Sequence, residues 1–287
     1  MSAVAPLALP RRRLWRPTAS LLAAGVLAGT VLVALVAGAL APYPPRAIVG
    51  APIEAPSGAH RLGTNDLGQD LLSLLLHGAR RSLAVGFLAA SCSTLLSAAV
   101  GTLSVLWRPA RLPLLAATEG LMAIPNLPVI VLIVSLLGPG PTQLVAALAV
   151  LSWPAFARVV RTQVAGAIQR DYVEAARALG ATEMRVFRAC VLPEILPVLW
   201  TKFLLTLRWA IVMEAVLALM GLGDPTQPSW GMILQTAFAY PLLFVGTAWA
   251  WWALPPALAI AAVTLALAII GQDFEAWLNP GLRQRAV

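Results

Sequence analysis

Six apolar stretches long enough, or nearly so, to cross a lipid bilayer decide what this chain can fold into. A hydrocarbon core about 30 Å thick takes roughly 20 apolar residues of helix to span. Residues 20–41, 82–106, 112–137, 144–160, 199–219 and 246–270 qualify, the fourth being short. Lipid leaves backbone N–H and C=O groups no water to pair with, so such spans form helices, and an all-α membrane protein with six transmembrane helices is predicted. Only 11% of the residues are charged, against about 25% in soluble domains. The first stretch follows Arg11, Arg12, Arg13 and Arg16 and ends in Ala39-Leu40-Ala41, which mimics a signal-peptide cleavage site. It exceeds the roughly 7–15 apolar residues of a signal core and reads as a span.

Basic residues set the orientation. With the N-terminus inside, fifteen arginines and lysines fall in inner segments, Lys202 counted among them, and only Arg46, Arg61, Arg80 and Arg81 fall outside. Both termini are then cytoplasmic. The net charge of +8 is scattered between apolar runs and forms no patch of the kind that binds nucleic acid. Cys92 and Cys190 make no CxxC, and His60 and His77 stand in no metal-binding spacing, so no protein-built metal site is expected. The chain divides into a cytoplasmic tail (1–19), a first helix with its external loop (20–81), a core (82–271) and a cytoplasmic tail (272–287).

Two loops are long. The outer one, 42–81, ends in an apolar stretch, 66–79, that reads as an interfacial helix capped by Thr64, Asn65 or Asp66. The inner one, 161–198, is the one extended polar stretch between spans on that face. Within it, Asp171-Tyr172-Val173-Glu174-Ala175-Ala176-Arg177-Ala178-Leu179-Gly180 reads as a short helix. Asp171 and Glu174 are placed for a capping box, and Gly180 for a left-handed stop. About 8 residues are too few for a helix to persist alone in water, so packing must hold it. Tyr172, Ala175, Ala176 and Leu179 share one face. Thr182 and Glu183 restart a second helix, and Pro193 and Pro197 are expected to break the chain before the fifth span. From these residues alone, the elbow either enters a groove of another protein or folds back on its own spans.

The spacing Glu174-Ala175-Ala176, Gly180, then Leu192-Pro193 resembles the EAA loop of ATP-binding cassette importer permeases, with Cys190 where an aliphatic residue is usual. Gly63-Thr64-Asn65-Asp66-Leu67-Gly68-Gln69-Asp70, followed by Gly78-Ala79-Arg80, is similar to a signature of the dipeptide, oligopeptide and nickel permeases. Asn65 and Gln69 replace its usual acidic and basic residues. Gly221-Leu222-Gly223-Asp224 and Pro228-Ser229-Trp230-Gly231 resemble the same group.

The resemblance implies a type I importer permease fold in the bacterial plasma (inner) membrane, as the second, C-type permease of its system. It implies four kinds of partner: a second permease forming a heterodimer, two ATP-binding cassette ATPase subunits, an external substrate-binding protein, and the bilayer. Asp171, Tyr172, Glu174, Ala175, Ala176, Gly180, Leu192 and Pro193 would then couple the chain to the ATPases. No cofactor is expected on this chain, with ATP and Mg on the partner ATPases. The residues agree, since a phosphate-binding GxxxxGK[ST] loop needs a lysine and Lys202 lacks the glycines upstream.

Ionisable or polar residues at membrane depth are costly and face cavities or partners. Glu214, Asn126 (in the Pro125-Asn126-Leu127-Pro128 interruption) and Glu119 are the pathway candidates, with a snorkelling carboxylate the other reading of Glu119. A membrane-embedded enzyme would need HExxH, GxSxG or paired aspartates, which are absent from the sequence. An ion-coupled secondary transporter without ATPase partners is the remaining alternative. Internal repeats would favour it, and none is evident.

Overall fold

The computed structural model describes residues 17–278. Among these residues the chain is helical, with no strand and two isolated bridges, Ile48 to Gln69 and Thr64 to Asp70. Helix α1 (Pro17–Leu40) leads to a loop and then to α2 (Leu71–Leu106). α3 (Arg108–Met122) and α4 (Asn126–Leu137) form a bent pair, followed by the long α5 (Pro141–Ala167). The short α6 (Asp171–Ala178) and α7 (Glu183–Val186) pass through a π-helical turn, Phe187–Val191, into α8 (Leu192–Leu217). A second π-helical turn, Ala218–Leu222, precedes α9 (Trp230–Ala239), α10 (Ala248–Trp252) and α11 (Leu254–Leu278).

Three sequence expectations need correction. Residues 66–79 are not a separate interfacial helix: the helix starts at Leu71 and continues for 36 residues, about 54 Å at 1.5 Å per residue. Gly68, at φ +74°, turns the chain just before it, and the cap is Asp70, whose carboxylate accepts the Ser73 amide at 2.8 Å. The stretch 112–137 is not one straight span either. α3 and α4 are bent by 92° across Ala123, Ile124 and Pro125, because Pro125 lacks the N–H that would continue the ladder. Pro193 and Pro197, by contrast, do not break the chain, which stays helical from Glu183 until Gly221 turns it at φ +80°. Pro193 follows directly on the π-helical turn Phe187–Val191, where the regular i→i−4 ladder is already interrupted.

Five helical stretches are each long and apolar enough to cross a membrane: Thr18–Leu40, Leu71–Leu106, Pro141–Ala167, Glu183–Leu222 and Ala248–Ala276. Counted as one span, the bent α3–α4 pair makes six. α2, α5 and α8 form the centre, where small residues permit close approach. A Cβ added at Gly101 of α2 would lie 2.7 Å from Val160 Cβ and 2.8 Å from the Ala157 carbonyl of α5. One at Gly86 would lie 2.7 Å from Ile211 of α8. Lipid tails are as apolar as leucine, so it is packing of this kind that holds helices together in a bilayer. The outer faces accordingly stay greasy: Leu21, Leu22, Leu32 and Leu35 of α1 are all exposed.

Three apolar clusters fill the interior. α1, α2, α8, α9, α10 and α11 bury Trp230, Trp252 and Leu267 in a cluster that reaches the 41–70 loop at Ile53 and Leu62. α2, α4, α5 and α8 bury Ile130, Val134, Leu148 and Leu217. The third lies at the opposite end, under the elbow between α5 and α8, and joins Val160, Val164, Val173, Val186, Val191 and Ile195.

Candidate functional site

The elbow is built on that third cluster. Val173 of α6, Val186 of α7 and Val191 of the π-helical turn point inward and are at most 1% exposed. They meet Val160 and Val164 of α5 and Ile195 of α8. A one-valine anchor orients the eight-residue α6, leaving Tyr172 and Ala175 outside and Leu179 89% exposed. Ala176 is half-buried. The helix ends where Gly180 adopts φ +85°. There the Ala181 amide donates to the Ala176 carbonyl at 3.0 Å and the Gly180 amide to Arg177 at 2.9 Å, the pairing of a Schellman stop.

The start of α6 differs from expectation. Its cap position is Arg170, without a side-chain cap bond, and Asp171 is the first helical residue. The expected capping box is therefore not formed. Asp171 and Glu174 still sit in the first turn, where carboxylates favour the helix dipole. The second start is as expected, with Thr182 Oγ1 accepting the Arg185 amide at 3.4 Å. Arg177 donates through Nε and Nη2 to Glu183 at 2.9 and 3.0 Å, clasping α6 to α7 across Gly180. Arg170 pairs with Glu194 at 3.6 Å. Leu192 packs against the valine cluster and Pro193 lies exposed beside it. Met184, Arg185 and Arg188 line an open groove with Thr182 and Ala189.

The pathway candidates do not converge. Glu214 of α8 is 4% exposed and accepts from Ser82 Oγ of α2 at 3.0 Å, and the same hydroxyl accepts the Trp230 amide at 3.2 Å. The carboxylate is thus spent inside the chain. Asn126 is exposed at the 92° bend. Glu119 of α3 is half-exposed and pairs with Arg158 of α5. Lys202, counted from sequence among inner-segment charges, instead lies within α8 and is 1% exposed.

At the opposite end the loop signature is a structural lock. Asn65 Oδ1 accepts the amides of Leu67 and Gln69 at 3.0 and 2.9 Å. Its Nδ2 donates to Gln69 Oε1 at 2.9 Å, so two amides join where the family signature has an acid and a base. Thr64 Oγ1 donates to the Ala51 carbonyl at 2.6 Å. His60 Nδ1 lies 3.1 Å from Asp70, both buried. Arg81 pairs with Asp224, and Arg46 donates to the Pro225 carbonyl. The sequence reading missed the Arg81–Asp224 pair; the adjacency of both residues to the recognised glycine motifs was the available signal. The Asp224 carboxyl sits below its ordinary range: burial opposes this, but bonds from Thr226 and the charges of Arg81 and Arg46 outweigh it.

A multi-pass helical bundle whose central helices are joined by an exposed, internally braced elbow has the form of a membrane transport permease. Residues 82–284 match the family described as binding-protein-dependent transport system inner membrane component, and the chain belongs to that family. It is 36% identical to the di/tripeptide transport system permease protein of Pseudomonas aeruginosa, across 89% of this chain and 86% of that one. With the dipeptide transport system permease protein of Escherichia coli it shares 32% identity, over 88% and 86%. A solved structure of a methionine ABC transporter in an inward-facing conformation has a similar fold (TM-score 0.54, 24% identity, 71% of this chain and 95% of that one).

Proposed function

We propose that this chain is one permease half of an ATP-driven peptide importer of the bacterial plasma membrane, and that α6 is the helix through which ATPase subunits drive it. The observation that carries the reading is the division of α6 into two faces. Val173 is completely buried in the chain's own core while Tyr172, Ala175 and Leu179 face outward. An eight-residue helix held so firmly, with bare alanine and leucine on its free side, has the form of a docking surface. Glu174, Gly180, Leu192 and Pro193 then set its pose, with Asp171 at its start. The elbow end is cytoplasmic in this reading, as are both termini, and the 41–70 loop faces the binding protein. A second permease completes the pathway in a heterodimer, and ATP and Mg belong to the ATPase subunits.

Peptides are favoured as substrate because relatives covering most of the chain are named for di/tripeptide, dipeptide and glutathione transport. The nickel alternative has no counterpart among these names. The exposed bend at Asn126 is a better pathway candidate than Glu214, whose carboxylate is occupied by Ser82. To test the reading, the complex is purified through a tag on this chain carrying Glu174→Ala or Gly180→Asp. Wild type should bring ATPase subunits with it; the variants should lose them, or keep them with hydrolysis uncoupled from peptide uptake. Wild-type protein that moves solute without any ATPase would instead identify a secondary transporter.

A further inference from the structure

Lys202 is the single lysine in the chain and lies at membrane depth in α8. Its Nζ donates to the Ser152 carbonyl of α5 at 2.9 Å and stands 4.3 Å from the centroid of the Phe156 ring. Among the described residues no carboxylate forms an ion pair with it. The contact continues sideways into α2: Ser152 Oγ donates to Ser93 Oγ at 2.7 Å, and Ser97 Oγ reaches the Trp153 carbonyl at 3.0 Å. A leucine or methionine would fill this volume without the cost of removing an amine from water.

The position of the cross-link explains what that cost secures. α5 and α8 are the two arms of the elbow, one leading into α6 and the other out of α7. The valine cluster joins them as far as Val160 and Ile195 and a second apolar cluster joins them again from Leu151 and Ala210, with Lys202 and Ser152 in the interval between. Pro154, two residues beyond Ser152, removes a ladder hydrogen bond from α5 and makes this the place where the arm bends most readily. The Lys202 bond is made just there.

We propose that Lys202 is a positioning residue that locks the two arms of the elbow together beside the Pro154 weak point, so that displacement of α6 moves α2, α5 and α8 as one body. The inference rests on reading α6 as the coupling helix. Its test uses the complete complex in lipid vesicles with its binding protein, comparing wild type, Lys202→Met and Lys202→Arg. Loss of one hydrogen bond shifts an equilibrium about fivefold, so solute moved per ATP should fall about fivefold or more in Lys202→Met, with the ATPases still bound and hydrolysing. Lys202→Arg, which keeps a donor in reach, should restore most of the ratio. An unchanged ratio in Lys202→Met overturns the proposal.

A second measurement keeps Lys202 in place and so does not depend on how the variants fold. Spin labels at Val159 of α5 and Leu196 of α8, both exposed, in a Cys92→Ser, Cys190→Ser background, report the arm separation through the ATP cycle. A constant separation supports the lock, whereas arms that part on ATP binding overturn it. Absence of ATPases from the Lys202 complex would overturn the elbow reading itself, a result distinct from coupled hydrolysis with mobile arms.

Discussion

Replacing Val173 by alanine should detach the elbow helix from the chain without touching the face it presents. Val173 is fully buried among Val160, Val164, Val186, Val191 and Ile195. The change removes two methyl-sized groups, worth about 0.8 kcal/mol each in transfer. The void left behind raises the total to about 2 kcal/mol, roughly a thirtyfold change in an equilibrium constant. α6 has only eight residues and no means of persisting alone, so the loss falls on its local order. Amide hydrogen exchange of the purified chain in nanodiscs should show residues 174–181 exchanging at least about tenfold faster, with α2 and α8 unaffected. Leu179→Ala is the counter-experiment. Leu179 is 89% exposed, and trimming it should change stability by less than about 0.5 kcal/mol while weakening ATPase retention. If Val173→Ala leaves exchange unchanged, or Leu179→Ala loosens the helix as much, the two-faced account of α6 is wrong.

Gly101→Ala should push α5 from α2, since its methyl would land 2.7 Å from Val160 Cβ; a loss of about 1–3 kcal/mol should appear as a lower Tm, whereas the control Gly120→Ala, inside α3 and meeting nothing within 4 Å, should hold or slightly raise it. Asn65→Ala removes the acceptor of two amides and the Gln69 partner, and at about 1 kcal/mol per bond should expose the 41–70 loop to protease, while Asn65→Asp with Gln69→Arg should leave it protected. The Asp224 carboxyl is lowered in the folded state, so its contribution is present above its unfolded value, about 3.9, and is lost only as pH falls through the lower folded value. The Tm gap between wild type and Asp224→Asn should therefore be flat from pH 5 to 8 and close only in stronger acid.

The spans were readable because lipid demands one apolar stretch per crossing: five of the six stretches found lie in helices long enough to cross, and the sixth, 112–137, is the bent α3–α4 pair. Their ends were less readable. Hydropathy does not separate the apolar residues 71–79 from the span they lead into, and the true cap, Asp70, stood four residues beyond the last of the expected ones. The 92° bend showed in sequence as Pro125-Asn126-Leu127-Pro128, yet the same residue type at Pro154 and Pro197 lies inside unbroken helices. What differs is tertiary support: α5 and α8 pack on both neighbours at the centre of the bundle, whereas α3 buries Thr118 alone.

The elbow was legible for a reason that also explains why the arms were not. Where water returns, polar residues and a glycine stop punctuate the chain, and Glu174, Gly180 and Thr182 leave that pattern, although the anchoring Val173 was not singled out by it. Within the bilayer the inner and outer faces of a helix are equally greasy, so α5 and α8 carry no stripe marking where they meet. Glu214 and Lys202 show the consequence from opposite sides. Glu214 drew attention as a lone acid at depth, but its partner is a serine hydroxyl on another helix. Lys202 passed for a cytoplasmic charge because one cation near the inner end of the 199–219 stretch satisfies the topology count equally well, and its partner is a backbone carbonyl, which every residue has and no sequence displays. A polar cross-link of that kind inside a membrane bundle becomes visible only once the helices are assembled.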